Sequence, residues 1–358
     1  MHAPVTGEVL CFIRRHGSAP ASGSEFNSLA LRLFAFQFEK NVLYRRFCQM
    51  EGVLPSTLKD WKEIPAMPAA AFKELVLTTF SSRKKKRVFR TSGTTFREVQ
   101  GGAAIRGAHY YETLAVYDAS ILKPFQKQVL LGGVFAFYFL MPSAADAPDS
   151  SLSYMMDVVN RVFARGRGRF YVRKGKPDFA AMLQDLIKER RKVLILSTAF
   201  ALKGFLDHLE EKNAFLKLKL GSRLMETGGF KGRTHEIPKK TLYRLCAKRL
   251  GIPVKNCVSE YGMTELSSQY YSTGGGSFTA PAWMRPMVID PRTGKECAHG
   301  HTGLLKHVDL ANVGSVMAVQ TEDVGRMRGK GFEVLGRALG SEARGCSLTY
   351  ERFLRSSG

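Results

Sequence analysis

Between residues 129 and 259, short apolar runs alternate with segments of helical periodicity, and this alternation constrains the fold more than any other feature. The runs are VLLGGVFAFYFL (129–140), RFYV (169–172), KVLILS (192–197), KLKLGSRLME (217–226) and PVKNCVS (253–259). Between several of them lie DFAAMLQDLIKERR and AFALKGFLDHLEEK, whose apolar residues recur at helical spacing. A strand that reaches the next one through a helix runs parallel to it, so the pattern predicts βαβ units and a mainly parallel sheet. After about residue 280 the pattern changes. PMVIDPRTGKECAHGHTGLLKHVDL, GSVMAVQTEDVGRM and GFEVLGRALG are short strands broken by Gly and Asp-Pro turns, which predicts an antiparallel meander or small barrel. Upstream, Phe26, Leu29, Leu33, Phe36, Val42, Leu43 and Phe47 fall near helical spacing and predict an amphipathic helix over 25–50. PAMPAAAFKEL is a Pro-punctuated connection into a short helix or strand. Three regions follow: a helical one over 1–80 packing on the core, an α/β core over 81–280, and a β-rich subdomain with a short tail over 281–358.

A chain of 358 residues with 44% hydrophobic content can bury a sizeable core. The longest apolar run, 129–141, is shorter than the roughly 20 residues a membrane span needs, and its glycines and Pro142 fit a buried strand. The N-terminal MHAPVTGEVLCFIRRHG has a short apolar stretch followed by Arg14 and Arg15, unlike a signal peptide. A soluble, cytoplasmic protein is expected. The 6 cysteines show no CxxC or metal-finger spacing, so neither a disulfide framework nor a zinc site is expected. Most should be small buried side chains. The 54 Lys and Arg against 31 Asp and Glu leave a net charge of +23, a field that attracts polyanions: nucleic acid, ATP, anionic membrane or an acidic protein. The densest cluster, Arg83-Lys84-Lys85-Lys86-Arg87, is either a solvated turn before a strand or a means of concentrating nucleotide near the loop that follows. No zinc knuckle, RNP signature or GXXG loop accompanies it, so nucleic acid is not the favoured partner.

That loop lies in VFRTSGTTFREVQGG (88–102), where Thr91, Ser92, Thr94 and Thr95 surround Gly93. Such residues make ordinary surface turns, and they also make loops that hold phosphate. In SEYGMTELSSQYYS (259–272) a predicted parallel strand ends where ligands bind. There Tyr261 suits stacking on a base, Thr264 offers a hydroxyl to a phosphate oxygen, and Glu265 is a hard oxygen ligand suited to Mg²⁺. The alternative is a helix N-terminus capped by Thr264, with Glu265 in its first turn. In METGGFKGR (225–233), Gly228 and Gly229 either let the backbone approach a flat ligand or simply make a tight turn. Asp323 in TEDVGRM suits the two hydroxyls of a ribose, or is an edge-strand carboxylate facing solvent. Arg337, at a strand end in GFEVLGRALGSEARGCSL, can set a guanidinium on ribose or phosphate.

The order of these segments resembles that of the adenylate-forming superfamily, which includes acyl-CoA synthetases, peptide-synthetase adenylation domains and luciferases. A closer resemblance is to the acyl-protein synthetase family, the synthetase component of the bacterial bioluminescence fatty-acid reductase. It rests on LALRLFAFQFEKN, AAFKE, TSGTT, SSLSYMM, LSTAFAL, METGGFKGR, SEYGMTELSSQYY and GRALGSEARGCSL, spread over residues 25–350. The resemblance implies the large-domain fold of adenylate-forming enzymes: α/β, with mostly parallel sheets flanked by helices and a small β-barrel-like subdomain. Because the sequence runs only 21 residues past Arg337, the superfamily's mobile C-terminal domain is expected to be absent or vestigial.

The same resemblance implies an ATP-dependent acid–thiol ligase. Thr91, Ser92, Gly93, Thr94 and Thr95 would hold the triphosphate, and Gly228, Gly229 and Tyr261 would line the adenine. Thr264 would touch the α-phosphate, Glu265 would carry Mg²⁺, Asp323 would hold the ribose hydroxyls and Arg337 would sit near the ribose. A fatty or other carboxylic acid would become an acyl-adenylate and then load a protein thiol. Cys346 is the matching thiol, with Arg344 two residues before it to favour the thiolate; otherwise it is a buried cysteine of a terminal strand. An acyl reductase or an acidic carrier protein would complement the basic charge as acceptor. The hydroxyl loop departs from the superfamily's Gly-x-Pro-Lys continuation by running Phe96-Arg97-Glu98, where Arg97 can replace the lysine charge and Glu98 opposes it. With the mobile domain's lysine missing, Lys231, Arg326 and Arg337 are the candidate cations. His109 in RGAHYYETL lies on the acyl-binding side or is a packed histidine. Two rival readings are an acyl- or aryl-CoA ligase related to the phenylacetate enzymes, and a non-enzymatic basic module binding nucleic acid through 83–87.

Overall fold

The computed structural model describes residues 4–17, 20–91, 106–228 and 237–338. The chain opens with α1 (Pro4–His16), α2 (Gly23–Lys40) and α3 (Val42–Met50). The single helix predicted over 25–50 is thus two. Asn41 divides them: its extended backbone ends α2, and its side chain accepts the Tyr44 N–H at 3.1 Å as the N-cap of α3. A capping box starts α2, with Ser22 Oγ accepting from Glu25 N and the Glu25 carboxylate accepting from Ser22 N, both at 3.1 Å. The helix buries Phe26, Leu29, Ala30, Leu33 and Phe34 on one face, together with Gln37. The chain continues through β1 (Met67–Pro68), α4 (Ala71–Glu74), the hairpin pair β2 (Arg87–Arg90) and β3 (Ala108–Tyr111), and α5 (Ala115–Phe125).

Then come β4 (Ala136–Pro142), α6 (Ser151–Phe163), β5 (Arg169–Arg173), β6 (Lys176–Pro177), α7 (Phe179–Lys188), β7 (Val193–Thr198), α8 (Ala199–Glu211), β8 (Arg223–Thr227), α9 (Lys239–Leu250), β9 (Cys257–Tyr261) and β10 (Tyr270–Thr273). These strands form one sheet in the order β10-β9-β8-β7-β4-β5-β6. The inner strands β9, β8, β7, β4 and β5 run parallel, and β10 and β6 close the edges antiparallel. The predicted βαβ pattern is present. Nearly every residue of β4, β7 and β8 is buried, as expected of a sheet covered on both faces. The apolar run at 129–140 is not one strand, however. Pro124 lies inside α5, where it removes a backbone donor; Gln126–Leu130 follow as a π-helical turn, and Leu131 and Gly132 adopt left-handed backbone. The strand begins only at Ala136.

The last strands are β11 (Met284–Ile289), β12 (Thr302–Asp309), β13 (Ala318–Arg328) and β14 (Gly331–Arg337). They form the expected antiparallel meander, and β1 adds to β13 in parallel. The chain divides into two compact units. One comprises 1–120, 263–268 and 279–358, and holds the meander; the other comprises 121–262 and 269–278, and holds the parallel sheet. In the meander unit, Gln37 ties α2 to the strands: its Nε2 donates to Asn312 O at 2.7 Å, and its Oε1 accepts from Met317 N at 3.0 Å.

Candidate active site

After β9 the chain does not enter a helix. Thr264 and Glu265 occupy a turn, so the reading of Thr264 as a helix N-cap is not met. Side chains from distant parts of the meander unit hold this turn. Asp309, the last residue of β12, accepts from Ser267 N at 2.9 Å, Ser268 Oγ at 2.8 Å and Ala311 N at 3.0 Å. Asn312 Nδ2 donates to the Glu265 carbonyl at 2.8 Å. Ser120 Oγ donates to the Ser267 carbonyl, and Trp283 Nε1 donates to Ser268 Oγ at 2.9 Å. Burial pushes the Asp309 carboxyl up to about 6, although its hydrogen-bond donors oppose the shift.

His109 is a packed histidine, 1% exposed, and it also touches this turn. Its Nδ1 lies 2.9 Å from the Thr264 carbonyl. A carbonyl only accepts, so Nδ1 carries the proton. Burial pushes the imidazole down to about 4, leaving it neutral at neutral pH.

On the same turn the Glu265 side chain is buried, 6% exposed. Burial pushes its carboxyl up to about 7; Lys73 and Arg337 draw it back down, and Asp323 pushes it further up. Asp323 is not on an edge: β13 lies between β12 and β14. Its Oδ1 accepts from Arg337 Nε at 3.2 Å. The pair depends on a bulge, since Gly325 opposes Val334 while Val324 opposes Gly336, leaving Leu335 as the extra residue. A side chain at Gly325 would begin 2.5 Å from the Glu333 carbonyl oxygen and 2.8 Å from Leu305 Cδ2, so the strands approach this closely only over glycine. The Asp-Val-Gly sequence is thereby explained: the glycine permits the slip that sets Arg337 opposite Asp323.

In the parallel-sheet unit, Thr227 and Glu260 are register partners on β8 and β9, and Gly228 and Tyr261 follow them at the carboxyl ends. Gly228 has φ 75°, and a Cβ there would meet no heavy atom within 4 Å, so backbone conformation rather than crowding selects glycine. The Tyr261 ring lies 5.9 Å from Tyr270 and 5.7 Å from Phe278, centroid to centroid. Two buried carboxylates stand on the same pair of strands. Glu260 accepts from the Thr227 hydroxyl, and burial pushes it up to about 7. Glu226 accepts from Tyr243 OH at 2.9 Å and pairs with Lys239 at 3.3 Å.

Thr91 directly follows β2 and makes two hydrogen bonds with Gly107, Thr91 N to Gly107 O and Gly107 N to Thr91 Oγ1, each 2.9 Å. Ser92, Gly93, Thr94, Thr95, Gly229, Lys231 and Cys346 lie outside the described residues. Of the candidate cations, Arg326 pairs with Glu333 at 2.8 Å, and Arg337 with Asp323. Among the described cysteines, Cys48, Cys246 and Cys257 are buried, Cys297 is intermediate and Cys11 is exposed, and none of these joins a disulfide. No described helix is long and apolar enough to cross a membrane. The structure therefore gathers Glu265, Asp323 and Arg337 in one unit, and Gly228 and Tyr261 in the other. Sequence reasoning missed Lys73, Asp309, Asn312, Glu226 and Lys239. Asp309 and Asn312 act on residues far along the chain, whereas Lys73, in AAFKE, and Glu226, in METGGFKGR, belong to segments that the motifs single out for other residues.

The sequence model of one family, described as acyl-protein synthetase, LuxE, matches residues 21–354. Two long-chain-fatty-acid–luciferin-component ligases are each 21% identical. The Vibrio harveyi protein aligns over 88% of this chain and 84% of its own length, and that of Aliivibrio fischeri over 92% and 89%. Among solved structures, a 2-hydroxyisobutyryl-CoA ligase in the postadenylation state with 2-HIB-AMP superposes with a TM-score of 0.66 at 14% identity, covering 89% of this chain and 68% of that one. ATP-bound MatB from Rhodopseudomonas palustris gives 0.51 at 17% identity over 70% of this chain, which spans about half of MatB, 47%. At such identities the structures share a fold, the α/β architecture of these ligases. The family match runs from α2 through the meander and includes every segment on which the sequence resemblance rests, and this chain belongs to the LuxE family of acyl-protein synthetases.

Proposed function

We propose that this chain uses ATP to convert a carboxylic acid, a long-chain fatty acid foremost, into an acyl-adenylate and then transfers the acyl group to a protein thiol. The observation that carries the reading is the buried Glu265, on a turn held by non-local hydrogen bonds and grouped with Lys73, Arg337 and Asp323. The names of the two relatives support a long-chain fatty acid, and the ATP-bound MatB structure supports ATP.

In the first half-reaction a carboxylate oxygen of the acid attacks the α-phosphorus. The new P–O bond forms as the bond to the bridging oxygen breaks, and pyrophosphate leaves with that electron pair. Both reactants are anions, so the site must offset their repulsion and hold them in line. Thr91, Ser92, Gly93, Thr94 and Thr95 are assigned the triphosphate, Gly228, Gly229 and Tyr261 the adenine, Thr264 the α-phosphate, Asp323 the ribose hydroxyls, and Arg337 the ribose edge. Among the described residues no group of three or more His, Cys, Asp or Glu gathers for a metal. A Mg²⁺ that bridges phosphates needs only one or two carboxylates, and a buried carboxylate raised by desolvation is the kind of group a dication compensates. Glu265 therefore fits Mg²⁺, which would neutralise charge on the phosphates. In the second half-reaction a thiolate, assigned to Cys346, attacks the acyl carbon and AMP leaves. An acyl reductase or acidic carrier protein is the proposed onward acceptor.

Hydroxylamine trapping with ATP, Mg²⁺ and a panel of acids tests the reading. Acyl-hydroxamate with long-chain acids is expected, and none with any acid would overturn it. Cys346→Ser should still adenylate but lose the covalently acylated protein; thioester appearing on free CoA instead would select a CoA ligase.

A further inference from the structure

We propose that the amino-terminal ends of the parallel strands form a surface that adsorbs to an anionic lipid bilayer. Leu131, Val134 and Leu220 enter the headgroup region, and the lysines and arginines around them meet lipid phosphate. The sheet topology carries the first part of the argument. Five connections, 126–135, 164–168, 189–192, 212–222 and 251–256, lead into β4, β5, β7, β8 and β9. Because those strands run parallel, all five connections lie on one side of the parallel-sheet unit, away from Gly228 and Tyr261 at the carboxyl ends. Hydrogen bonds fasten four of them together. Ala136 N donates to Lys192 O at 2.8 Å, Val193 N to Ser222 Oγ at 3.0 Å, and Asn256 Nδ2 to Ser222 O at 3.0 Å.

The charge of this surface is one-sided. Its connections hold ten Lys and Arg, among them the exposed Arg165, Arg167, Arg190, Lys192, Lys217 and Lys219, against a single acidic residue, Glu189. That carboxylate is already paired with Arg191 at 2.7 Å. Such a field is complementary to a polyanion, and the apolar side chains decide which one. Val134 is 87% exposed and Leu220 is 88% exposed; they lie just before β4 and β8, which are separated only by β7. The starts of those two strands are therefore about 10 Å apart. Lys192 enters between them, with its stem beside Gly221, where a Cβ would lie 3.3 Å from Lys192 Cε. Leu131, 63% exposed, holds a left-handed backbone with φ 49° that leucine rarely adopts. Leu131 N donates to Gln126 O at 3.1 Å and Gly133 N to Leu130 O at 2.8 Å, which fixes that turn.

Protruding aliphatic side chains gain nothing from a nucleic-acid backbone, whereas they gain from hydrocarbon. The exposed ring on this surface, Phe215, already lies under the Arg249 guanidinium, 4.4 Å from its centroid, rather than standing open as a stacking platform for bases. Aliphatic tips ringed by cations match a protein that lies on a membrane without crossing it. Adsorbed in this way, the unit keeps the carboxyl ends of its strands turned from the bilayer. The inference stands independently of the adenylating reading.

The test is cosedimentation of the full chain with vesicles of equimolar phosphatidylcholine and phosphatidylglycerol, and with vesicles of phosphatidylcholine alone. Binding to the anionic vesicles and little to the neutral ones is expected; equal binding, or none to either, would overturn the proposal. Replacing Lys192, Lys217 and Lys219 together by Gln should weaken binding about tenfold or more. The same change at Lys84, Lys85 and Lys86 should leave it within about twofold, and equal losses at the two clusters would show that overall charge alone is sensed. Leu131→Asn, Val134→Ser and Leu220→Ser combined should weaken vesicle binding about tenfold while leaving elution from heparin unchanged. Leu220→Ser alone supplies the comparison, with a smaller loss, should the combined variant melt early. Undiminished vesicle binding in both apolar variants would overturn the membrane contact. Duplex DNA bound more tightly than vesicles, with loss in the Lys192, Lys217 and Lys219 variant, would assign the surface to nucleic acid instead.

Discussion

The Arg337 guanidinium reaches the Asp323 carboxylate at 3.2 Å only because β14 carries one residue more than β13 beside Gly325. Without the bulge, Gly336 would stand opposite Asp323 and the guanidinium would fall on the other face of the strand. Gly325→Ala places a methyl against the Glu333 carbonyl oxygen and Leu305. It should destabilise the protein by about 1–3 kcal/mol. Hydroxamate formation should fall further than the loss of folded protein, read from thermal melts of the same samples, accounts for.

Glu265→Gln should raise stability and abolish activity together. The folded protein holds the Glu265 carboxyl near 7, above its ordinary value of 4.5, so it binds that proton more tightly than the unfolded chain does. The stabilisation is fully present below the ordinary value and lost as pH rises through about 7. Above that, the wild type carries a buried charge that glutamine lacks. In the absence of ligand the variant should be the more stable by about 1–3 kcal/mol at pH 8, with the gap closing towards pH 5. A wild type that is more stable than the variant at pH 8 would contradict this account of the site.

Arg337→Gln removes one of the two cations that draw the Glu265 carboxyl down. The acid limb of kcat/KM for adenylation, set by ionisation of the free enzyme, should then move to higher pH. A pH profile of pyrophosphate release measures the shift. A profile merely scaled down, with its limb in place, would show that Arg337 acts on the substrate alone.

Asp309→Ala leaves three donors, Ser267 N, Ser268 Oγ and Ala311 N, without their acceptor. A loss of about 2–4 kcal/mol is expected, seen as a lower denaturation midpoint with an unchanged slope. Asp309→Asn retains one acceptor oxygen and should recover part of it.

Asn41→Ala provides the contrast. It removes the cap at the junction of α2 and α3 and should cost about 1 kcal/mol. Activity per folded molecule should be unchanged, as checked by the same trapping assay.

Much of the architecture was legible because period and punctuation are local signals. The βαβ alternation and the closing meander both follow from them. The errors were local competitions that period alone does not weigh. Asn41 can continue a helix or cap the next one, and its side chain settled the matter by bonding to Tyr44 N. The run at 129–140 is apolar throughout, but Pro124 and the left-handed pair Leu131 and Gly132 delay the strand to Ala136. At the candidate site, Glu265, Asp323 and Arg337 could be named because each lies in a compact motif. Asp309 and Asn312 could not, since their contribution is hydrogen bonds to residues 42 and 47 positions away.

The turn that carries Thr264 and Glu265 has a consequence for how the protein would fail. A helix terminus retains some order by itself, but this turn borrows its shape from His109, Asp309 and Asn312, none of them its neighbours in the chain. It is assembled only when the surrounding unit has closed. Mild heat or denaturant should therefore silence the enzyme while its helical circular dichroism is still near native, with catalysis the earliest casualty of partial opening.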